Sequence, residues 1–240
     1  MNGRLQQPGL FVKIALQRIA LVTLLILFMK CQVVKAEQRA EGGPGPTESK
    51  ANEHMHKTDF NELARRFEDP ERKSWQKPDE VIAGLGPLKG KTVADIGAGT
   101  GYFAFPIAKK GAHVIAIDID QRFLDYIAHR NQKTKVTIET RLTQPDTPGL
   151  KPGEADIVLI VDTYHHIEQR RTYLKKLRKG LRQGGTLVIV DFKKEETPPG
   201  PPPELRLSAK EIEAELRSAG FTIKSVDTTT LPYQYIIKAE

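Results

Sequence analysis

Cysteine is almost missing from this 240-residue chain, and the single copy, Cys31, lies within the first 36 residues. Everything after that point is therefore without disulfides, cysteine nucleophiles or thiolate metal ligands. An excess of one charge is missing too, once the N-terminus is set aside. The formal net charge is +7, but residues 1–36 hold Arg4, Lys13, Arg18, Lys30 and Lys35 with no acid, leaving 32 basic and 30 acidic residues elsewhere. A near-neutral body gives little reason to expect a nucleic-acid groove. The local run of Lys175, Lys176, Arg178 and Lys179 reads as the solvated side of a helix.

Long apolar runs are scarce as well. The longest, Ile19–Met29, has 11 residues, short of the ~20 that span a bilayer comfortably. Its basic lead-in and the Val34-Lys-Ala36 that follows read residues 1–36 as a secretory signal peptide. Extending the apolar segment across Arg18 to Leu10 makes it a membrane anchor instead, with attachment through residues 10–30. The expected location is exported or membrane-anchored, a cytosol-facing anchor included. Residues 37–57, with Gly, Pro and charge but no periodicity, read as a flexible linker, and His54 and His56 there as solvated residues or contacts to metal or a small molecule.

From residue 58 onward the pattern changes. Short β-branched runs at Thr92–Ile96, His113–Asp118, Val136–Thr140, Asp156–Val161, Thr186–Asp191, Phe221–Val226 and Tyr233–Lys238 read as strands. Several are continuously apolar, as parallel strands covered on both faces are. Helices are expected near Tyr102–Lys110, Arg122–Arg130, Gln169–Gly180 and Ser208–Ala219, the last opened by a Ser208/Glu211 capping box and stopped at Gly220. This alternation predicts an α/β, doubly wound, mostly parallel sheet. Residues 58–90 precede the first strand as helical pieces broken at Pro70 and Pro78, placed to cover the strand ends as a lid in which Trp75 is the buried anchor. Thr197–Pro203, TPPGPPP, can hold neither ladder nor helix and is expected as a semi-rigid loop at one end of the sheet.

The chemistry-bearing stretch is Asp95-Ile-Gly-Ala-Gly-Thr-Gly101, between the first strand and a helix. Glycines there allow a tight turn and let main chain touch a ligand, while the helix start offers N–H groups to an anion. Asp118, at the end of strand two, is placed for ribose hydroxyls. A dinucleotide fingerprint would need glycine where Tyr102 stands, and has no use for an acid two residues before Gly97. Asp95 suits a cationic α-amino group instead, with the loop amides taking a carboxylate. The second cluster is Asp162-Thr-Tyr-His-His166, after strand four, where His165 or His166 is a candidate general base and Asp162 orients it or the acceptor. No metal is expected at this pair, because adjacent histidines rarely aim at one ion. Tyr102, Asp191, Phe192, Tyr233 and Tyr235 are further candidates, the aromatics more often core or edge than substrate wall.

The string DIGAGTG at 95–101 resembles the first motif of class I S-adenosylmethionine-dependent methyltransferases. The similarity continues through VIAIDID at 114–120, EADIVLIVDTYHHI at 154–167 and LRQGGTLVIVDF at 181–192, and covers Pro78–Glu240. The resemblance implies a seven-stranded Rossmann-like sheet of order 3-2-1-4-5-7-6 with an antiparallel last strand. It implies S-adenosyl-L-methionine as cofactor, held by Asp95, Gly97, Gly99, Thr100, Gly101, Asp118, Ile119, Leu142, Thr143 and Asp162, with Gln144 and Asp146 as further choices for the adenine contact. The expected activity is methyl transfer to oxygen or carbon of a small or lipid-like acceptor, without nucleic acid. Arsenite-type methylation would need the cysteines that the body lacks. The rival readings are a noncatalytic nucleoside-binding module and a nicotinamide-dependent oxidoreductase.

Overall fold

The computed structural model describes residues 52, 55 and 57–240. The leader, most of the linker, and His54 and His56 lie outside the described residues, so the readings made on them stand as expectations. Three short helices come first: α1 (Phe60–Phe67), α2 (Arg72–Gln76) and α3 (Pro78–Gly84). Asp59 caps α1 by accepting the Glu62 N–H at 3.1 Å, and Pro78 opens α3 where a missing N–H costs nothing.

The alternating part follows as β1 (Thr92–Ile96), α4 (Ala104–Lys109), β2 (His113–Asp118), α5 (Gln121–Asn131), β3 (Glu139–Leu142), β4 (Ala155–Val161), α6 (Arg170–Gly180), β5 (Leu181–Phe192), α7 (Ala209–Ser218), β6 (Ile223–Asp227) and β7 (Gln234–Ala239). The strands form one sheet of order β3-β2-β1-β4-β5-β7-β6. All neighbours are parallel except β7, which is antiparallel to both β5 and β6. Alternate strand residues face two apolar layers. Ala94, Ile115, Val158 and Ile189 pack with α6 and α7 on one side, and Val93, Val114, Leu159 and Val188 pack with α3, α4 and α5 on the other.

The starts of β3 and β5 and the anchor of the lid differ from the sequence reading. β3 begins at Glu139 rather than Val136, because the Asn131 amide binds both backbone groups of Ile138, at 3.1 and 2.8 Å, and closes the preceding turn. β5 begins at Leu181 rather than Thr186, its pairing with β4 resuming after an irregularity between Ala155 and Ile157. The lid is anchored by Gln76, which is fully buried, while Trp75 is half-buried against Phe192 at 5.8 Å. The Ser208/Glu211 capping box forms as expected.

Strand order reverses between β1 and β4, so the crevice outside their C-terminal ends is where this architecture binds ligands.

Candidate active site

A cavity of about 1180 Å³ opens at that crevice, bounded by the β1 loop, the ends of β2 and β4, the lid helices and the proline-rich segment. It exceeds the ~300–1,000 Å³ of a site for one small molecule. Two bound molecules fit it better.

At one end stands the glycine loop. Gly97, Gly99 and Gly101 have φ of 72°, 52° and 81°, all in the left-handed region. A Cβ on Gly97 would lie 2.3 Å from Thr163 Oγ1, and one on Gly99 would lie 3.1 Å from the Phe67 ring of α1. The obstacle at Gly99 is thus the lid. Gly101 faces Phe105 and Ile127, away from the cavity, and its part is to let α4 start close to α5.

Asp95, Thr100 and Asp118 are buried around this loop. Asp118 Oδ2 accepts the Gly99 N–H at 2.9 Å and Oδ1 accepts the Asp120 N–H at 3.0 Å, which fixes the loop against β2. Asp95 Oδ2, Thr100 Oγ1 and Tyr102 OH have no hydrogen-bond partner within the protein. Buried polar atoms are seldom left so, and where they are, a ligand is a natural partner. Burial first, then the charge of Asp118, pushes the Asp95 carboxyl up to about 7, and burial pushes Asp118 up to about 6 against the pull of its amide donors. A cationic ammonium beside Asp95 relieves that penalty. These residues therefore fit an aminoacyl nucleoside, with Asp95 and the loop at its amino-acid end and Asp118 and Ile119 beside its sugar.

One consequence is measurable. Below about pH 7 Asp95 holds a proton that an incoming ammonium must displace, so S-adenosylmethionine affinity is expected to fall by up to about tenfold per pH unit there. Isothermal titration between pH 6 and 8 checks this, and a flat profile contradicts it.

After β3, Thr143 and Gln144 reach the cavity but Leu142 does not. Leu142 is 50 % exposed on the edge strand, so its assignment to the cofactor is corrected. Asp146 pairs with Lys176 at 3.0 Å outside the cavity.

The acid and base groups sit at the other end. His165 Nδ1 lies 2.8 Å from Asp191 Oδ1, and the His165 backbone N–H donates to Asp191 Oδ2 at 3.1 Å. The carboxylate thereby sets the tautomer, with the proton on Nδ1 and Nε2 as acceptor. Burial disfavours the imidazolium, but the Asp191 charge and hydrogen bond outweigh it, and the pKa is net raised above the ordinary histidine value. His166 goes the other way, down to about 3, through burial and its neighbour His165, with Nδ1 3.0 Å from Asn52 Oδ1. Adjacent in sequence, the two histidines differ in chemistry: the pKa of His165 is raised and that of His166 lowered.

Asp162 touches neither ring in this arrangement. It sits at φ 53°, at the tip of β4, and takes hydrogen bonds from Arg72 at 3.2 Å, from Gln76 at 2.8 Å and from Gln234. Arg72 also lies over the Tyr102 ring, 4.3 Å from its centroid. Asp162 is thus the point where lid and sheet are joined. Arg72 and Gln76 escaped sequence reading because polar residues in a short helix carry no periodic signal, and Gln234 because it is a lone polar residue opening an apolar strand. Arg206, buried behind the proline-rich segment, escaped it as well. Of the remaining candidates, Tyr102, Phe192 and Tyr233 line the cavity, while Tyr235 is core, its OH donating to Leu207 O at 2.8 Å.

The fold is that of class I S-adenosylmethionine-dependent methyltransferases, here with a glycine loop after β1 and a buried acid at the end of β2. Comparison with known proteins agrees. Residues 94–189 match the family described as "Methyltransferase domain". The chain has the fold of a SAM-dependent methyltransferase from Aquifex aeolicus, with a TM-score of 0.70 and 26 % identity over 76 % of this chain and 98 % of that one. Among curated relatives, it is 30 % identical to a ubiquinone biosynthesis O-methyltransferase of Roseobacter denitrificans over 46 % of this chain and 44 % of the relative. It is 35 % identical to a demethylmenaquinone methyltransferase of Tropheryma whipplei over 45 % of this chain and 44 % of the relative. The chain thus matches less than half the length of these relatives. Residues 94–189 thus match a methyltransferase domain, on the fold of a SAM-dependent methyltransferase.

Proposed function

We propose that this protein transfers the methyl group of S-adenosylmethionine to a hydroxyl or an activated ring carbon of a small, apolar, phenol- or quinol-type acceptor. The observation that carries this reading is His165, held by the buried Asp191 behind it and lining one cavity with the glycine loop. The bound cofactor supplies an electrophilic methyl on a cationic sulfur. Asp95, beside the glycine loop, holds its amino-acid end, and Asp118 its sugar. His165 Nε2 takes the proton of the acceptor hydroxyl as the new bond to carbon forms and the sulfur–carbon bond breaks. Asp191 steadies the resulting imidazolium. The lid, tied down through Asp162, keeps water out. The names of the curated relatives, which act in ubiquinone biosynthesis or on demethylmenaquinone, support a ring acceptor. The basic and apolar leader supports attachment to, or passage through, a membrane, where an apolar acceptor would concentrate.

The test is turnover of methyl-labelled S-adenosylmethionine by the full chain in a lipid extract and in an aqueous metabolite extract. Label is expected in an organic-soluble product, with equimolar S-adenosylhomocysteine. Cofactor binding with no acceptor-dependent turnover in either extract contradicts the reading and favours a noncatalytic binding module.

A further inference from the structure

The proline-rich segment raises a problem of hydrogen bonding. In Thr197–Pro203 five of the seven residues are prolines, which have carbonyls but no N–H groups, so the segment cannot join a strand ladder, and its one internal hydrogen bond is from Thr197 Oγ1 to Pro199 O at 2.7 Å. Arg206 supplies the missing donors. It is 3 % exposed, and its Nε donates to Pro201 O at 2.6 Å, Nη1 to Lys193 O at 3.0 Å, Glu195 O at 2.7 Å and Thr197 Oγ1 at 2.7 Å, and Nη2 to Pro199 O at 3.3 Å. Every acceptor is neutral. The guanidinium also lies 5.1 Å from the Phe192 ring centroid, on a ring already approached by Trp75 at 5.8 Å. Gly200, at φ 99°, presses on that ring so closely that a Cβ would come within 2.7 Å of it. One buried cation thus holds a strap of prolines against Phe192.

The face that the strap turns to the cavity has a distinct chemistry. Its prolines offer no donors, Trp75 and Phe192 offer ring surface, and Leu205 at its end is 42 % exposed, one of three large apolar side chains so exposed among the described residues. Arg206, with its donors turned to backbone carbonyls and the Thr197 hydroxyl, is 3 % exposed, so this wall has little with which to neutralise a phosphoryl group. The geometry points to the strap, Trp75, Phe192 and Leu205 as the acceptor subsite, selective for a flat uncharged ring, with Arg206 as the residue that positions it. The inference rests on the methyltransferase reading for what happens to the ring and deepens it by saying where the ring lies.

Trp75 is the only tryptophan of the chain and lines the cavity, so its fluorescence reports on this wall. The probes are 2-methyl-1,4-naphthoquinone, flat and uncharged, and phenyl phosphate, an anionic ring, each titrated into the full chain with S-adenosylhomocysteine present. Naphthoquinone is expected to quench Trp75 saturably and phenyl phosphate to bind at least about tenfold more weakly. Arg206→Ala is expected to weaken naphthoquinone about tenfold or more while the Kd for S-adenosylmethionine changes less than about twofold, and Arg206→Lys to restore part of the loss. Because Arg206→Ala also removes buried hydrogen bonds, Leu205→Glu serves as a second variant: it changes an exposed side chain and is expected to weaken naphthoquinone similarly without lowering Tm. Naphthoquinone binding indifferent to both Arg206→Ala and Leu205→Glu, or phenyl phosphate binding as tightly, overturns the subsite. Failure of S-adenosylmethionine to bind the unmodified chain would instead overturn the methyltransferase reading.

Discussion

Gly97→Val is expected to abolish detectable S-adenosylmethionine binding while the far-UV circular dichroism of the protein stays close to that of the parent. Two independent effects act at this one position. A β-branched residue at φ 72° is strained by roughly 1–3 kcal/mol. Its Cβ also falls 2.3–2.8 Å from three atoms of the Thr163 side chain, whose Oγ1 is itself bound to Val161 O at 2.8 Å and has little freedom to retreat. The loop must therefore lift from the tip of β4. Lifting it breaks the bonds from Gly97 N to Ile117 O at 2.8 Å, from Ala98 N to Ile117 O at 3.2 Å and from Gly99 N to Asp118 Oδ2 at 2.9 Å, which fix the loop against β2. The sheet beneath is held by two apolar layers and does not depend on the loop. Calorimetric titration together with circular dichroism measures both halves of this expectation. A variant that binds the cofactor with unchanged affinity would contradict the assigned role of the loop.

His165→Ala is expected to lower kcat by about 10²–10⁴-fold, the usual worth of a general base, with the Kd for S-adenosylmethionine changed little. His166→Ala should have a far smaller effect, because a ring whose pKa lies near 3 is a poor proton acceptor. The pH profile separates a base from a merely structural histidine. His165 must be deprotonated to act, so kcat should rise with pH through a pKa above the ordinary histidine value and then level off. Asp191→Asn removes the charge that raises this pKa and should move the rising limb to lower pH while reducing the plateau. Full activity in His165→Ala, or a limb unmoved by Asp191→Asn, would remove the base from the mechanism.

Much of the sheet was legible in the sequence because parallel strands buried on both faces announce themselves as unbroken apolar runs, as in Ile157–Val161 and Leu187–Val190. β1 and β2 fall where the pattern puts them. The start of β3 was hidden, since it depends on one Asn131 amide closing a turn, and no propensity of residues 136–138 reveals that. That Asp95, the glycine loop and Asp118 meet at one end of the cavity was legible because they stand at the tips of neighbouring strands. The partners of Asp162 were not legible: only tertiary structure shows its oxygens facing Arg72, Gln76 and Gln234 at the edge of the cavity. The choice between His165 and His166 also needed three dimensions, because it turns on which ring meets Asp191, 26 residues away. Arg206 could have been suspected from the prolines alone. Their carbonyls require a donor from elsewhere, and an arginine three residues beyond the segment is the first strong one after it.

The account stands on Asp95 meeting the amino-acid end of the cofactor. Calorimetric titration of S-adenosylmethionine and of 5′-methylthioadenosine, which lacks that end, into the parent protein and Asp95→Asn tests this most directly. The substitution is expected to weaken S-adenosylmethionine by about 1.5–3 kcal/mol, the worth of a charge-assisted hydrogen bond, or about 10–150-fold, and to leave 5′-methylthioadenosine within about twofold. Equal losses for the two ligands, or no loss for S-adenosylmethionine, would contradict it.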